Sequence, residues 1–207
     1  MMRSILVRPG AAALGFFMFL SPLAAQADEA IFAGGCFWSM ETDLDHVDGV
    51  TATQSGYIGG TLKNPTYQDV ITETTGHYEA VKVTYDPAKI SYDQLLNAYW
   101  HSIDPTDAGG QFCDRGPSYR TAIFPVNDAQ AKAAKASLVS VQDELGKPVA
   151  TTVQKTATFY PAEDYHQDYA RKNPGHYKLY RTGCGRDAQV RAVWGAKAQA
   201  ELKGKMG

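Results

Sequence analysis

Three cysteines, Cys36, Cys113 and Cys184, are the residues best able to do chemistry in this chain of 207 residues. An odd number cannot all pair within one chain, so at least one thiol is left free or reactive. None stands in C-x-x-C spacing, the usual signature of a thioredoxin-type pair or a zinc knuckle. Cys36 has the most suggestive surroundings, Ala33-Gly34-Gly35-Cys36-Phe37-Trp38-Ser39-Met40-Glu41. A thiol at the first turn of a helix meets unpaired backbone N–H groups and the positive end of the macrodipole, and both favour the nucleophilic thiolate. Two preceding glycines would let a substrate approach the backbone closely. Glu41, Asp43 and Asp45 act against ionisation, which points to moderate activation. Residue types alone leave two readings open, a nucleophile or a buried, inert thiol. Phe37 shares a helical stripe with Met40 and Leu44, whereas Trp38 falls off that stripe and is a candidate wall for a substrate.

Such a thiol needs a strand that ends at the glycines and a helix that begins behind Cys36. The apolar run Ala30 to Ala33 supplies the strand, and Phe37, Met40, Leu44 and Val47 the helical spacing. Further strands are expected at Thr51 to Tyr57, around Val81, Val83 and Tyr85, at Thr121 to Val126 and at Thr152 to Tyr160. A capping box at Ser91 and Gln94 introduces the stripe Leu95, Leu96, Tyr99, Trp100, Ile103. Ala131, Ala134, Leu138, Val141 and Leu145 mark the cleanest helix, with Asn127 as cap and Gly146 as stop. Ala162 to Arg171 reads as a helix ended by Pro174-Gly175, Lys178 to Asp187 as a mobile segment without period, and Ala188 to Lys203 as a terminal helix. This pattern predicts a two-layer sandwich of the α/β (α+β) class with a central mixed sheet, ferredoxin-like, ending in an irregular tail over 175–207.

Arg3 and Arg8, the apolar run Ala11 to Leu20, and Ser21 to Ala27 with its A-x-A ending predict a secretory signal peptide over 1–27, cleaved near Ala27/Asp28. Its apolar core is shorter than the ~20 residues of a membrane span. Residues 28–207 are then expected to form one domain, periplasmic or secreted, off the membrane and monomeric. Loss of Arg3 and Arg8 takes the formal charge from −2 to −4, since 1–27 holds no Asp, Glu or Lys. That balance, without a basic stripe, excludes nucleic acid as an expected partner.

Gly35-Cys36-Phe37-Trp38-Ser39-Met40-Glu41 resembles the G-C-F-W-x-x-E signature of the A-type peptide methionine sulfoxide reductases. The resemblance continues through Ser55 to Gly60, Asn64 to Tyr67, Thr75 to Val81, Asp114 to Ile123 and Ala162 to Gln167, and ends near Lys172-Asn173-Pro174. It implies reduction of methionine S-sulfoxide, free or in proteins, with no cofactor and no metal. Cys36 would attack the sulfoxide sulfur while Phe37 and Trp38 hold the methyl group. Glu79 would protonate the sulfoxide oxygen with help from Tyr57 and Tyr119, and Asp114 would orient water and neighbours. The sulfenic acid left on Cys36 would condense with a second thiol. Cys184, in Thr182-Gly183-Cys184-Gly185, matches the family's resolving cysteine by kind of location. Cys113, next to Asp114, is the alternative resolver or the partner of Cys184. A thioredoxin-like dithiol would recycle the enzyme.

Other readings fit parts of the same pattern. A thiol peroxidase would use the same Cys36 and a resolver, and a non-enzymatic binding module would use the aromatic residues without thiol chemistry. A metal site built on Cys36, His77 and Cys113 matches no common ligand spacing. His77 is expected to support its loop.

Overall fold

The computed structural model describes residues 27–198. The expected leader falls outside these residues except for Ala27, as does the end of the expected terminal helix. In chain order the elements are β1 (Asp28–Gly34), α1 (Phe37–Asp45), β2 (Val50–Ile58), α2 (Tyr67–Val70), β3 (Tyr78–Tyr85), α3 (Tyr92–Trp100), β4 (Gly110–Gln111) and β5 (Asp114–Arg115). A 3-10 turn (Pro117–Tyr119) follows, then β6 (Thr121–Phe124), α4 (Asp128–Leu145), β7 (Thr152–Val153), β8 (Phe159–Pro161), α5 (Tyr169–Lys172), α6 (Pro174–Cys184) and α7 (Arg186–Trp194).

The sheet has six strands in the order β7-β6-β1-β3-β2-β8, all antiparallel except the β6–β7 pair. It is mixed but mostly antiparallel. Alternation along β1 sends Ala30 and Phe32 to one face and Ile31 and Ala33 to the other. The first face packs on Met40 and Leu44 of α1, Leu95, Tyr99 and Trp100 of α3, Ala134 of α4 and Val190 and Trp194 of α7. The second carries a smaller cluster with Ile58, Tyr78, Ala122 and Phe124.

Local signals explain the best-defined helices. Ser91 and Gln94 form the reciprocal capping box of α3. On α4, Asn127 accepts from the Gln130 N–H, and Gly146 closes the helix at φ 60°.

Three expectations need correction. The segment Thr152 to Tyr160 is two short strands on opposite edges of the sheet, β7 against β6 and β8 against β2. Ala162 to Arg171 is mostly turn. Gln167 bonds both the N–H and the C=O of Ser55 at 2.9 Å, and Asp168 takes φ 54°, so these residues are hooked onto β2 and only Tyr169–Lys172 winds into helix. The tail over 175–207 is not irregular in its described part: Pro174 opens α6, and α7 follows directly. Proline suits the first helical position, where its missing N–H costs nothing. Tyr177, Arg181 and Cys184 of α6 and Arg186, Val190 and Trp194 of α7 hold these helices through packing, ion pairs and a disulfide rather than through an aliphatic stripe. Among the described residues no helix is long and apolar enough to cross a membrane.

Candidate active site

Cys36 caps α1, its carbonyl accepting the N–H groups of Ser39 and Met40 at 3.1 and 3.2 Å. The turn before it depends on both glycines. Gly35 has φ 84°, and a Cβ there would stand 2.6 Å from Cβ of Gln111. A Cβ on Gly34 would meet Sδ of Met40 at 2.3 Å. The space these glycines leave is filled by the protein's own side chains, not reserved for a substrate.

The thiol is free and 7% exposed. Burial pushes its pKa far above the ordinary thiol range, and the charges of Glu79 and Asp114 push the same way. Hydrogen bonding of the ionised form by Tyr180 and by the Trp38 backbone opposes this. The expected moderate activation is therefore corrected: at rest Cys36 is a protonated thiol. The acids on its own helix face elsewhere. The Glu41 carboxylate accepts the Asp168 N–H at 2.9 Å, with burial pushing its pKa up to about 7. Asp43 is paired with Arg181 and Arg186.

Glu79 stands on β3 directly across the ladder from Tyr57 of β2. Its Oε2 accepts the Phe37 N–H at 2.9 Å, which ties the carboxyl to the first turn of the Cys36 helix. Glu79 is buried, and desolvation raises its pKa to about 8 despite that N–H; the charges of Asp114 and Glu73 add to the rise. Glu79 is therefore a buried, mostly neutral carboxyl at neutral pH rather than a solvated carboxylate.

Phe37 is buried against the rings of Tyr57 and His166. Trp38 is held on three sides: Tyr169 stacks on it at 3.7 Å between centroids and 5° between planes, Tyr180 stands edge-on at 5.8 Å, and Nε1 donates to Nδ1 of His166 at 3.0 Å. Tyr57 donates its hydroxyl to Glu163 at 2.9 Å. Tyr119 comes from the 3-10 turn, which Glu73 fixes by accepting from the N–H and hydroxyl of Ser118 at 2.8 and 2.7 Å. Its hydroxyl bonds that of Tyr67, and the charges of Glu79 and Cys36 bear on both phenols.

Asp114 accepts the Tyr180 hydroxyl at 2.5 Å and lies 3.7 Å from the sulfur of Cys184. Burial raises its pKa. Cys184 is bonded to Cys113, with their Cα atoms 4.9 Å apart, so the two candidate resolvers are partners in one disulfide. Cys113 is its exposed end.

The structure thus brings Cys36, Phe37, Trp38, Tyr57, Glu79, Asp114, Tyr119, Cys113 and Cys184 to one region. His77 is turned away: Nδ1 accepts the Gly60 N–H and Nε2 donates to the Leu62 carbonyl, so it supports its loop and cannot join Cys36 and Cys113 around a metal. Sequence reasoning missed Tyr67, His166, Tyr169 and Tyr180. The signal for Tyr180 was the spacing Tyr177, Tyr180, Cys184, helical at three and four but made of residues that do not read as a core stripe.

Residues 28–198 match the family described as peptide methionine sulfoxide reductase. The chain is 55% identical over 192 residues to a peptide methionine sulfoxide reductase MsrA 2 of Caulobacter vibrioides, covering 89% of this chain and 95% of that one. Its fold is similar to methionine sulfoxide reductase A of Corynebacterium diphtheriae, with a TM-score of 0.68 and 31% identity over 72% of this chain and 76% of that one. It is also similar to Mxr1 of Saccharomyces cerevisiae in reduced form, with a TM-score of 0.69 and 29% identity over 76% and 92%. A buried thiol beside a neutral carboxyl, with a disulfide one tyrosine away, agrees with that match, and the chain belongs to the peptide methionine sulfoxide reductases, oxidoreductases that return methionine sulfoxide to methionine.

Proposed function

We propose that Cys36 attacks the sulfur of methionine S-sulfoxide while Glu79 gives its proton to the sulfoxide oxygen. The observation that carries this reading is the Glu79 carboxyl, buried, raised to about 8 and bonded to the Phe37 N–H beside the thiol. A sulfoxide is a poor electrophile until its oxygen is protonated or strongly hydrogen-bonded, and a neutral carboxyl at pH 7 is suited to do it. Tyr119, with Tyr67, flanks Glu79 as a further donor, and Tyr57 orients the region through Glu163. Phe37 and Trp38 hold the methyl group, Trp38 being fixed by Tyr169 and His166.

Attack leaves methionine and a sulfenic acid on Cys36. The Cys184 thiolate then displaces hydroxide, which leaves as water, and forms a Cys36–Cys184 disulfide. Cys113 attacks Cys184, releases Cys36 as a thiol and produces the Cys113–Cys184 bond seen here. Its exposed end at Cys113 suits attack by a thioredoxin-like dithiol. Since the leader predicts export to the periplasm or beyond, that dithiol must be resupplied with electrons across the membrane. The inner strands, in the order β6-β1-β3-β2, support a ferredoxin-like frame for the site.

The test is turnover of the two epimers of methionine sulfoxide with a dithiol donor. Strict preference for the S form is expected, and equal rates would remove the reading.

A further inference from the structure

The reaction proposed above leaves one proton unaccounted for. Cys36 is a protonated thiol, and Glu79 is engaged as the acid toward the sulfoxide oxygen, so another group must accept the thiol proton. The ionisable groups that bear on Cys36 are Glu79 of β3, Asp114 of β5, Tyr67 of α2, Tyr119 of the 3-10 turn and Tyr180 of α6. Among them only Asp114 is a carboxylate with no part in binding the sulfoxide. The group between Asp114 and the thiol is Tyr180, whose hydroxyl lies 2.5 Å from Oδ2 of Asp114 and is hydrogen-bonded to Cys36 as well.

A phenol has one proton. Tyr180 gives its proton to Asp114, so it offers Cys36 a lone pair, and the chain of bonds runs from the Cys36 S–H to the Tyr180 oxygen and from the Tyr180 O–H to the Asp114 carboxylate. The Tyr180 ring is fixed edge-on against Trp38, which keeps the hydroxyl in place.

We infer that Tyr180 is a catalytic residue of this chain, relaying the Cys36 proton to Asp114 as the thiol attacks. This rests on the reading of Cys36 and Glu79 given above. In the step, the S–H bond of Cys36 breaks as its proton passes to the Tyr180 oxygen, and the proton of Tyr180 passes to Oδ2 of Asp114. The sulfur lone pair attacks the sulfoxide sulfur, Glu79 protonates the sulfoxide oxygen, and that hydroxyl ends on Cys36. The sulfoxide sulfur gains two electrons and the cysteine sulfur loses two. Methionine, the sulfenic acid, a neutral Asp114 and an ionised Glu79 remain, and solvent returns the proton from Asp114 to Glu79. Asp114 is half-buried, so it can release that proton to water. Its raised affinity for a proton, caused first by burial, suits the part of acceptor.

The experiment uses the protein in its disulfide form, where Cys36 is the one thiol among the three cysteines and its sulfenic acid has no resolver. Two quantities are read in the natural protein, Tyr180→Phe and Asp114→Asn: the single-turnover rate of sulfenic acid formation from methionine S-sulfoxide, trapped with dimedone, and the pH midpoint of Cys36 alkylation by iodoacetamide. Both variants should form sulfenic acid about a hundredfold more slowly, the lower end of what a positioned acid or base contributes. Their alkylation midpoints should move in opposite directions, upward in Tyr180→Phe, which lacks the hydroxyl that, once it has taken the thiol proton, donates to the thiolate, and downward in Asp114→Asn, which loses a nearby negative charge. An effect on the thiol pKa alone would make Asp114→Asn faster. A natural rate in either variant overturns the relay. If Tyr180→Phe loses its fold by circular dichroism, Asp114→Asn alone decides. A natural protein that forms no sulfenic acid from either epimer overturns the underlying reading itself, a failure seen before any variant is compared.

Discussion

The neutral Glu79 carboxyl can be tested as a stability effect, independent of catalysis. Replacing it by Gln keeps the size of the side chain and an oxygen for the Phe37 N–H, and removes only the ionisation. In the natural protein the folded-state value of about 8 lies above the ordinary 4.5. A raised folded value means that the contribution of Glu79 is fully present below pH 4.5 and is lost as pH rises to 8, because over that range the unfolded chain has released a proton that the folded chain still holds. At 1.36 kcal/mol per unit the loss is on the order of 5 kcal/mol, a large part of the 5–15 kcal/mol typical of a domain. Glu41, raised to about 7, adds a decline of the same sign, but it is common to both proteins and drops out of their difference. Urea unfolding followed by circular dichroism from pH 5 to pH 9, with the disulfide intact, should give curves that nearly coincide at the acid end and separate above it, Glu79→Gln being the more stable by several kcal/mol at pH 9. The same variant should form sulfenic acid a hundredfold or more slowly. A side chain that stabilises the fold when neutralised and stops the reaction is the signature of an acid held against its preference. Parallel stability curves would show that Glu79 is already charged at neutral pH, and the proton would have to come from elsewhere.

Other parts of the structure carry their own tests. Cys113→Ser should complete one turnover and stop as a Cys36–Cys184 disulfide, identified by peptide mapping without reductant; a free Cys184 after turnover would refute the transfer between the two bonds. Reducing the Cys113–Cys184 bond, which joins residues 71 positions apart, should lower unfolding stability by about 4 kcal/mol on the loop-entropy scale; unchanged denaturant midpoints would argue against that bond as a tether of α6. Asn127→Ala should cost about 1 kcal/mol through loss of the α4 cap, and no change in thermal midpoint would remove that role from Asn127.

The parts of the fold legible in sequence were those whose reasons are local. The α4 rhythm, the Ser91–Gln94 box and the strand-turn-helix around Cys36 each rest on residues within a few positions of one another. What escaped is held by distant partners. Residues 152–160 are divided between sheet edges because their ladder partners, β6 and β2, lie on opposite sides of the central β1–β3 pair. Helix α6 contains Gly183 and few aliphatic residues, so its spacing was masked, and contacts such as Arg181 with Asp43 secure it, whereas the helix expected from Ala188 is present as α7, which begins at Arg186. The site shows the same division. Cys36, Phe37 and Trp38 form one motif and Glu79 lies in a matched block, whereas the sequence could not place Tyr180 beside Asp114, 66 positions away. The odd cysteine count left open which two would pair, and the fold brings Cys113 and Cys184 together.

Arg186 sets an order of events in the life of the chain. Its guanidinium, 2% exposed, bonds the Gly34 and Ser102 carbonyls at 3.2 and 2.9 Å and pairs with Asp43 at 3.2 Å, bracing the turn behind Cys36 from 152 positions downstream. A chain still under synthesis, or one clipped before α7, has Cys36, its glycines and the Arg181–Asp43 pair, but it lacks the second cation on buried Asp43 and the donor to the Gly34 and Ser102 carbonyls, and breaking such a buried polar cluster is strongly destabilising. The nucleophile is therefore finished last. Proteolysis at the far end of the protein would disable it from behind while leaving every residue that meets the substrate in the polypeptide.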